Sequence, residues 1–194
     1  MDSLSYSVGV MLAQTLKQQG LQEVDAAGVA SGIKDALAGN DLQIDFHEAN
    51  ALLKKHFEGV HKQQKNQNMA EGKKFLEENS HREGVVSLPS GLQYEVLKAG
   101  SGPSPSATDK VTVHYQGSLI NGKVFDSSIE RNEPATFPVN GVIKGWVEAL
   151  QLMNVGSKWK LFIPSDLAYG DRGAGADIGP YATLIFEVEL LKIN

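Results

Sequence analysis

The chain of 194 residues contains no cysteine, which excludes disulfides, thiolate metal sites and a cysteine nucleophile. It has no apolar run approaching the ~20 residues that cross a bilayer. It has no clustered basic patch, and its net charge is −5, which argues against a nucleic-acid partner. The five histidines, His47, His56, His61, His81 and His114, show no metal-ligand spacing. No GxSxG supports a serine hydrolase. The glycine-rich stretch at 173–179 is not GxGxxG and leads into no helix, so it reads as a rim loop rather than a phosphate cradle. Residues 1–10 lack a basic start and a continuous apolar segment, so the expected location is cytoplasmic, or periplasmic if an export signal has been removed. What is present is the balance of an ordinary globular protein, 41% hydrophobic and 21% charged.

Two halves follow different patterns. Up to Glu83 the period is helical. Leu4, Val8, Met11, Leu12 and Leu16 share a face, and Gly20 marks a stop. Asp25 is placed to cap a second helix carrying Val29, Ile33 and Leu37, closed by Gly39-Asn40. Asp45 with Glu48 forms a capping-box-like start for a third, lined by Phe46, Ala49, Leu52, Leu53, Phe57 and Val60.

Beyond Val60 the sequence turns polar on every side, as in a solvated bridge between domains, yet no proline interrupts it. One continuous helix over 45–83 is expected, roughly 55–60 Å long at ~1.5 Å per residue. A hinge at 63–68 is the alternative. The apolar faces before Val60 are too large for so short a segment to bury by itself, and a second copy of the chain is the simplest cover. The other way to cover them is to fold back on the C-terminal half.

From Val85 the period becomes that of strands. Segments beginning at Leu92, Val111, Lys158 and Thr183 alternate or run apolar at strand length. Pro89-Ser90-Gly91 and Gly100-Ser101-Gly102-Pro103 separate them, and Asn121-Gly122 predicts a type I′ hairpin. One short helix fits, over 144–150. The expected class is α+β: an all-helical N-terminal part with a long connecting helix, then an antiparallel sheet wrapped on one short helix. The expected domains are 1–60 (dimerisation), 61–84 (connecting helix) and 85–194 (catalytic).

Within the second half stand Val113-His-Tyr-Gln-Gly, Gly122-Lys-Val-Phe-Asp-Ser-Ser, Val142-Ile-Lys-Gly-Trp-Val-Glu-Ala-Leu, Ala168-Tyr-Gly-Asp-Arg-Gly, and a run from Ile178 through Phe186. In order and spacing these resemble the FKBP-type peptidyl-prolyl cis-trans isomerases, over about residues 90–194. The helical arm is similar to that of the bacterial Mip-like subfamily (macrophage infectivity potentiator type), in which such an arm dimerises. The resemblance implies an aromatic pocket walled by Tyr115, Phe125, Phe137 and Phe186, with Trp146 as its floor. It implies Val142 and Ile143 at the rim, Ile178 on the far side, and two donors to substrate carbonyls, the Ile143 N–H and the Tyr169 hydroxyl. Asp126 at the pocket edge would be tied to Tyr115 and Arg131. Three positions depart from many relatives: Ala135 replaces an aromatic, Gly179 replaces a proline, and the loop after Tyr169 lacks a His-Pro. All three bear on rim contacts, hence on substrate preference and macrolide affinity.

The implied activity needs no nucleophile, metal or organic cofactor, because rotation about Xaa-Pro breaks no covalent bond. The partners it implies are unfolded or partly folded proteins with Xaa-Pro bonds, macrolide inhibitors, and a second copy of the chain through the N-terminal helices, with no nucleic acid and no membrane. Two dimer-borne domains would also hold a client in a chaperone-like way. A module that binds proline peptides or macrolides with little catalysis is the alternative. Singly, each aromatic would be a core residue in most folds, and His114, alternating with Val113 and Tyr115, is expected to face away from the pocket.

Overall fold

Three helices open the chain. Helix α1, Ser3–Gln18, begins where the Asp2 carboxylate accepts the Ser5 N–H at 2.9 Å. It ends in a left-handed turn at Gly20 (φ 87°), with Leu21 N–H bonded to Leu16 O and Gly20 N–H to Lys17 O. Helix α2, Ala26–Ala38, is capped by Asp25, which accepts from Ala27 and Gly28, and closes at Gly39 with φ 67°. Helix α3, Phe46–Ser80, starts where Asp45 accepts the Glu48 N–H at 2.7 Å. As expected it is helical through Gly59 and the polar stretch 63–68.

The computed structural model describes residues 2–18, 20–21 and 23–194. They divide into two units, Met1–Gln63 and Gln64–Asn194. No described residue of the first unit is buried. Leu4 is 74% exposed and Leu37 85%, and a cleft of about 370 Å³ between α1 and α2 is lined by Leu12, Leu16, Leu21, Val29 and Ile33.

The second unit is a seven-stranded antiparallel sheet with one helix on its inner face. Its strands are β1 (Val85–Ser87), β2 (Gln93–Lys98), β3 (Lys110–Leu119), β4 (Val124–Ser127), β5 (Ala135–Pro138), β6 (Lys158–Ile163) and β7 (Leu184–Ile193). Their order is β1-β2-β6-β7-β3-β4, with β5 also paired to β3. Alternation decides what faces inward. Val111, Val113 and Tyr115 on β3, and Leu184, Phe186, Val188 and Leu190 on β7, are buried. Helix α4, Lys144–Leu152, lays Trp146, Ala149 and Leu150 on that face. A Cβ on Gly145 would lie 2.6 Å from Ile163 Cγ2, so the helix docks through a bare backbone.

The outer face is covered as well, and here the structure departs from the picture of a solvated bridge. Residues 64–80 of α3 belong to the sheet's unit. Phe162 points away from the core between Leu161 and Ile163, yet is only 1% exposed, because Phe75 of α3 covers it at 6.0 Å between ring centroids. Buried Asn79 donates to Gln93 Oε1 at 2.8 Å, and Gln93 returns a bond to Leu76 O at 2.9 Å. Polar residues share this contact with a single aromatic pair, so hydrophobic periodicity does not reveal it.

The Asn121-Gly122 turn also differs from expectation. Leu119 N–H bonds Lys123 O, and Gly122 N–H bonds Leu119 O. Only Gly122 of the three loop residues takes a positive φ (85°). This is a three-residue loop with glycine in the left-handed position, not a type I′ pair.

Candidate active site

Between α4, β3, β4, β5 and the loops after β6 lies an open cavity of about 690 Å³. Its floor is Trp146, from the first turn of α4. Three rings meet the indole edge-on: Tyr115 at 5.4 Å, Phe186 at 5.3 Å and Phe137 at 6.0 Å between centroids. Phe125 on β4 stands edge-on to Phe186 at 5.5 Å and 83°. Such edge-to-face pairs are a favoured aromatic geometry. The close fit depends on Gly117. A Cβ there would lie 2.6 Å from both the Phe125 and Phe186 rings. The Trp146 indole N–H is buried and has no hydrogen-bond partner among the described residues, a donor without the compensation such groups usually find.

Val142 and Ile143 line the mouth where α4 begins. Ile143 is the residue preceding the helix, in extended conformation, and no side chain caps this end. Helix N-termini leave backbone N–H groups without intrahelical partners, so donors are available at the rim. Tyr169, 40% exposed, and Ile178, 8% exposed, complete the wall from the loops between β6 and β7.

At the edge of the cavity sits a polar triangle. The Tyr115 hydroxyl donates to Asp126 Oδ2, Arg131 Nη1 donates to Asp126 Oδ1, and Arg131 Nη2 donates to the Tyr115 oxygen at 3.1 Å. Burial, assisted by the neighbouring carboxylate, pushes the Tyr115 hydroxyl pKa up. Burial alone would raise Asp126, but the hydrogen bonds from Tyr115 and Arg131 and the guanidinium charge outweigh it. The carboxyl is held below the usual carboxylate range. Its hydrogen bond to Asp126 raises Arg131 in turn. The Tyr115 ring is thereby fixed in rotation, with its hydroxyl occupied.

All eleven residues singled out from the sequence meet here: ten line the cavity, and Arg131 stands behind Asp126 and Tyr115. Four further residues line the cavity: Ala174, Gly175 and Asp177, from the stretch read as a rim loop, and Gly141, which sequence reasoning missed. Asp177 pairs with Lys123 at 2.7 Å, tying the rim loop to the β3–β4 hairpin. An acidic residue in a glycine-rich loop carries no signal of that kind. His114 lies outside the cavity, with Nδ1 3.1 Å from Ser128 Oγ. Ser128, fully buried, also accepts the Tyr115 N–H at 2.8 Å, which anchors the strand bearing Tyr115 to the loop bearing Arg131.

Two family descriptions match the chain: "FKBP-type peptidyl-prolyl cis-trans isomerase" over residues 102–191, and "domain amino terminal to FKBP-type peptidyl-prolyl isomerase" over residues 1–96. The chain is similar to the FKBP-type 22 kDa peptidyl-prolyl cis-trans isomerase of Escherichia coli, 52% identical with 97% of this chain and 93% of that protein covered. It is 42% identical to the outer membrane protein MIP of Legionella longbeachae, covering 100% of this chain and 85% of that one. Among solved structures, FkpA from Escherichia coli matches with a TM-score of 0.77 at 36% identity, over 99% of this chain and 93% of the other.

Proposed function

The chain belongs to the FKBP-type peptidyl-prolyl cis-trans isomerases, and we propose that the aromatic cavity over Trp146 is where it turns the Xaa-Pro bond. Rotation has a barrier of ~18–20 kcal/mol because the C–N bond has partial double-bond character. The planar amide is charge-separated and well solvated; the twisted amide has lost resonance and is less polar. A dry aromatic cavity therefore binds the twisted state better than the planar one, which is differential transition-state binding. In this reading the proline ring sits on Trp146 between Tyr115, Phe125, Phe137 and Phe186, with Val142 and Ile178 closing the sides. The Ile143 N–H and the Tyr169 hydroxyl donate to substrate carbonyls and hold the chain in a turn. Asp126 and Arg131 keep Tyr115 in place and give the cavity one polar edge. Lowering the barrier by ~5–6 kcal/mol corresponds to roughly ten-thousand-fold acceleration.

The observation that carries the reading is the cluster of edge-on rings around Trp146 beside the Tyr115–Asp126–Arg131 triangle. Competition by a macrolide of the kind that FKBP proteins bind tests it. Acceleration of a short Xaa-Pro peptide should disappear as the macrolide fills the cavity. Acceleration that persists at saturation locates the chemistry elsewhere.

The domain reading is residues 1–60 for dimerisation, 61–84 as connecting helix and 85–194 for isomerisation. The absence of buried residues in the described part of Met1–Gln63 supports a two-fold dimer through the N-terminal helices, since a unit of that size needs a covered apolar face. Sedimentation at micromolar concentration should give twice the monomer mass; a monomer overturns the dimer. Two cavities in one assembly would engage an unfolded client at two points, giving chaperone-like retention by effective concentration.

Among the described residues no helix is long and apolar enough to cross a membrane. The location read from the sequence is the cytoplasm. The relative named an outer membrane protein supports the periplasmic alternative, and cell fractionation separates the two.

A further inference from the structure

We propose that Asn68, on the connecting helix α3 and outside the matched isomerase segment, is a positioning residue for the substrate-binding wall formed by Tyr169 and Ile178. The proposal rests on the cavity being the substrate site. Asn68 is half-buried, and its Nδ2 donates to the carbonyl of Pro180 at 2.7 Å, 112 residues away in sequence. Pro180 lies in an irregular segment between Ile178 and β7, where strand pairing supplies no partner for that carbonyl. A buried carbonyl without a donor is costly, so the Asn68 amide fixes where the segment sits.

From Pro180 the connection reaches both wall residues through backbone bonds. The next residue, Tyr181, donates its N–H to Gly170 O at 2.7 Å, adjacent to Tyr169. In the other direction Ile178 forms a reciprocal pair with Ala174, at 2.8 and 3.1 Å, which shapes the rim loop. Tyr181 itself has φ 56°, a conformation that a bulky residue keeps only when its surroundings impose it. Two further contacts from α3 do so. Lys65 Nζ lies 4.5 Å from the centre of the Tyr181 ring. A Cβ on Gly72 would lie 2.4 Å from Thr183 Oγ1, so the helix approaches this segment through a residue with no side chain. The polar residues of α3 thus form an outer frame, with Asn68 as its one direct hydrogen bond to the segment's backbone among the described residues.

The test uses the full chain and three variants: Asn68→Ala, Asn68→Asp, which keeps the shape but loses the donor, and Gly72→Ala. For a short Xaa-Pro peptide, KM should rise about three- to ten-fold in Asn68→Ala, the scale of one net hydrogen bond, with kcat changed less. Asn68→Asp should be at least as impaired, because it sets an anion against a carbonyl. Gly72→Ala should show the same KM defect, and Gly72→Ala/Thr183→Ala should recover it. Hydrogen exchange supplies a readout independent of turnover: the Ala174, Ile178 and Tyr181 amides should exchange faster in the Asn68 variants, while Leu161 and Val188 stay protected. Unchanged exchange at those three amides, or an unchanged KM beside an active wild type, overturns the proposal and leaves the isomerase site standing. An inactive wild type would instead remove the reading of the cavity, and the exchange arm would still decide whether Asn68 holds the segment. A variant too unstable to assay is replaced by the Gly72/Thr183 pair, which alters the same frame from the other contact.

Discussion

Phe75 of α3 covers Phe162 of β6 on the face of the sheet opposite the core, with ring centroids 6.0 Å apart and Phe162 almost fully enclosed. The C-terminal half of the connecting helix is therefore part of the isomerase unit's second layer. Phe75 is itself half-buried, so Phe75→Ala should destabilise that unit by about 1 kcal/mol, a part of the ~1.5–3 kcal/mol scale of a fully buried aromatic side chain. Both tryptophans, Trp146 and Trp159, lie in this unit, so denaturant unfolding followed by tryptophan fluorescence reports on it alone. An unchanged midpoint would show that the helix merely rests there.

The acid response of the Tyr115–Asp126–Arg131 triangle follows from its signs. Asp126 is held below its ordinary pKa in the folded chain, so its contribution to stability is complete above the unfolded value of about 4 and is lost as pH falls through the folded value. The stability gap between wild type and Asp126→Asn should be constant from about pH 5 to 8 and narrow below about pH 4. Tyr115 is raised, by burial first. Its contribution is complete below about pH 10 and is lost as pH rises through the folded value. Thermal melts of both proteins across pH check this; a gap that widens in acid would contradict the assignment.

Gly117→Ala tests the ring packing directly. The new methyl would overlap Phe125 and Phe186, each 2.6 Å away, in a β3 strand that cannot move without breaking its β7 pairing. Overpacking of this kind costs about 1–3 kcal/mol. Peptide isomerisation should fall at least about ten-fold, the rate equivalent of ~1.4 kcal/mol, while circular dichroism still shows the folded sheet. Full activity would mean that Phe125 and Phe186 are not part of the working surface.

Removing residues 1–60 separates holding from turning. Activity on a short peptide should remain near wild type, because every cavity residue lies beyond that segment. Refolding of a proline-limited protein should slow markedly, as the proposed two-point engagement by a dimer requires. Equal effects on both substrates would count against the dimeric clamp.

Much of this architecture is legible in the sequence. Apolar spacing and the cap residues Asp25, Gly39 and Asp45 outline the three helices, and alternation outlines β3 and β7. The rings around Trp146 are legible only as an ordered set, since each alone reads as core. Three features stay hidden, for physical reasons. Strands β1, β4 and β5 are three or four residues long, too short to display a period. The turn at Asn121-Gly122 takes its type from the strand register rather than from the dipeptide. The docking of α3 combines one aromatic contact, Phe75 on Phe162, with Asn68, Gly72 and Asn79, so the apolar positions are too few to show a period.

The most direct test of the central claim is the isomerisation rate of a short Xaa-Pro peptide with wild type, Trp146→Ala, Tyr169→Phe and Asp126→Ala, each confirmed folded. Uncatalysed exchange takes tens to hundreds of seconds at 25 °C. The account predicts that wild type brings this far down and that all three variants are slower, Trp146→Ala most of all. A wild type no faster than solvent, or variants equal to it, would contradict the claim that this cavity turns the prolyl bond.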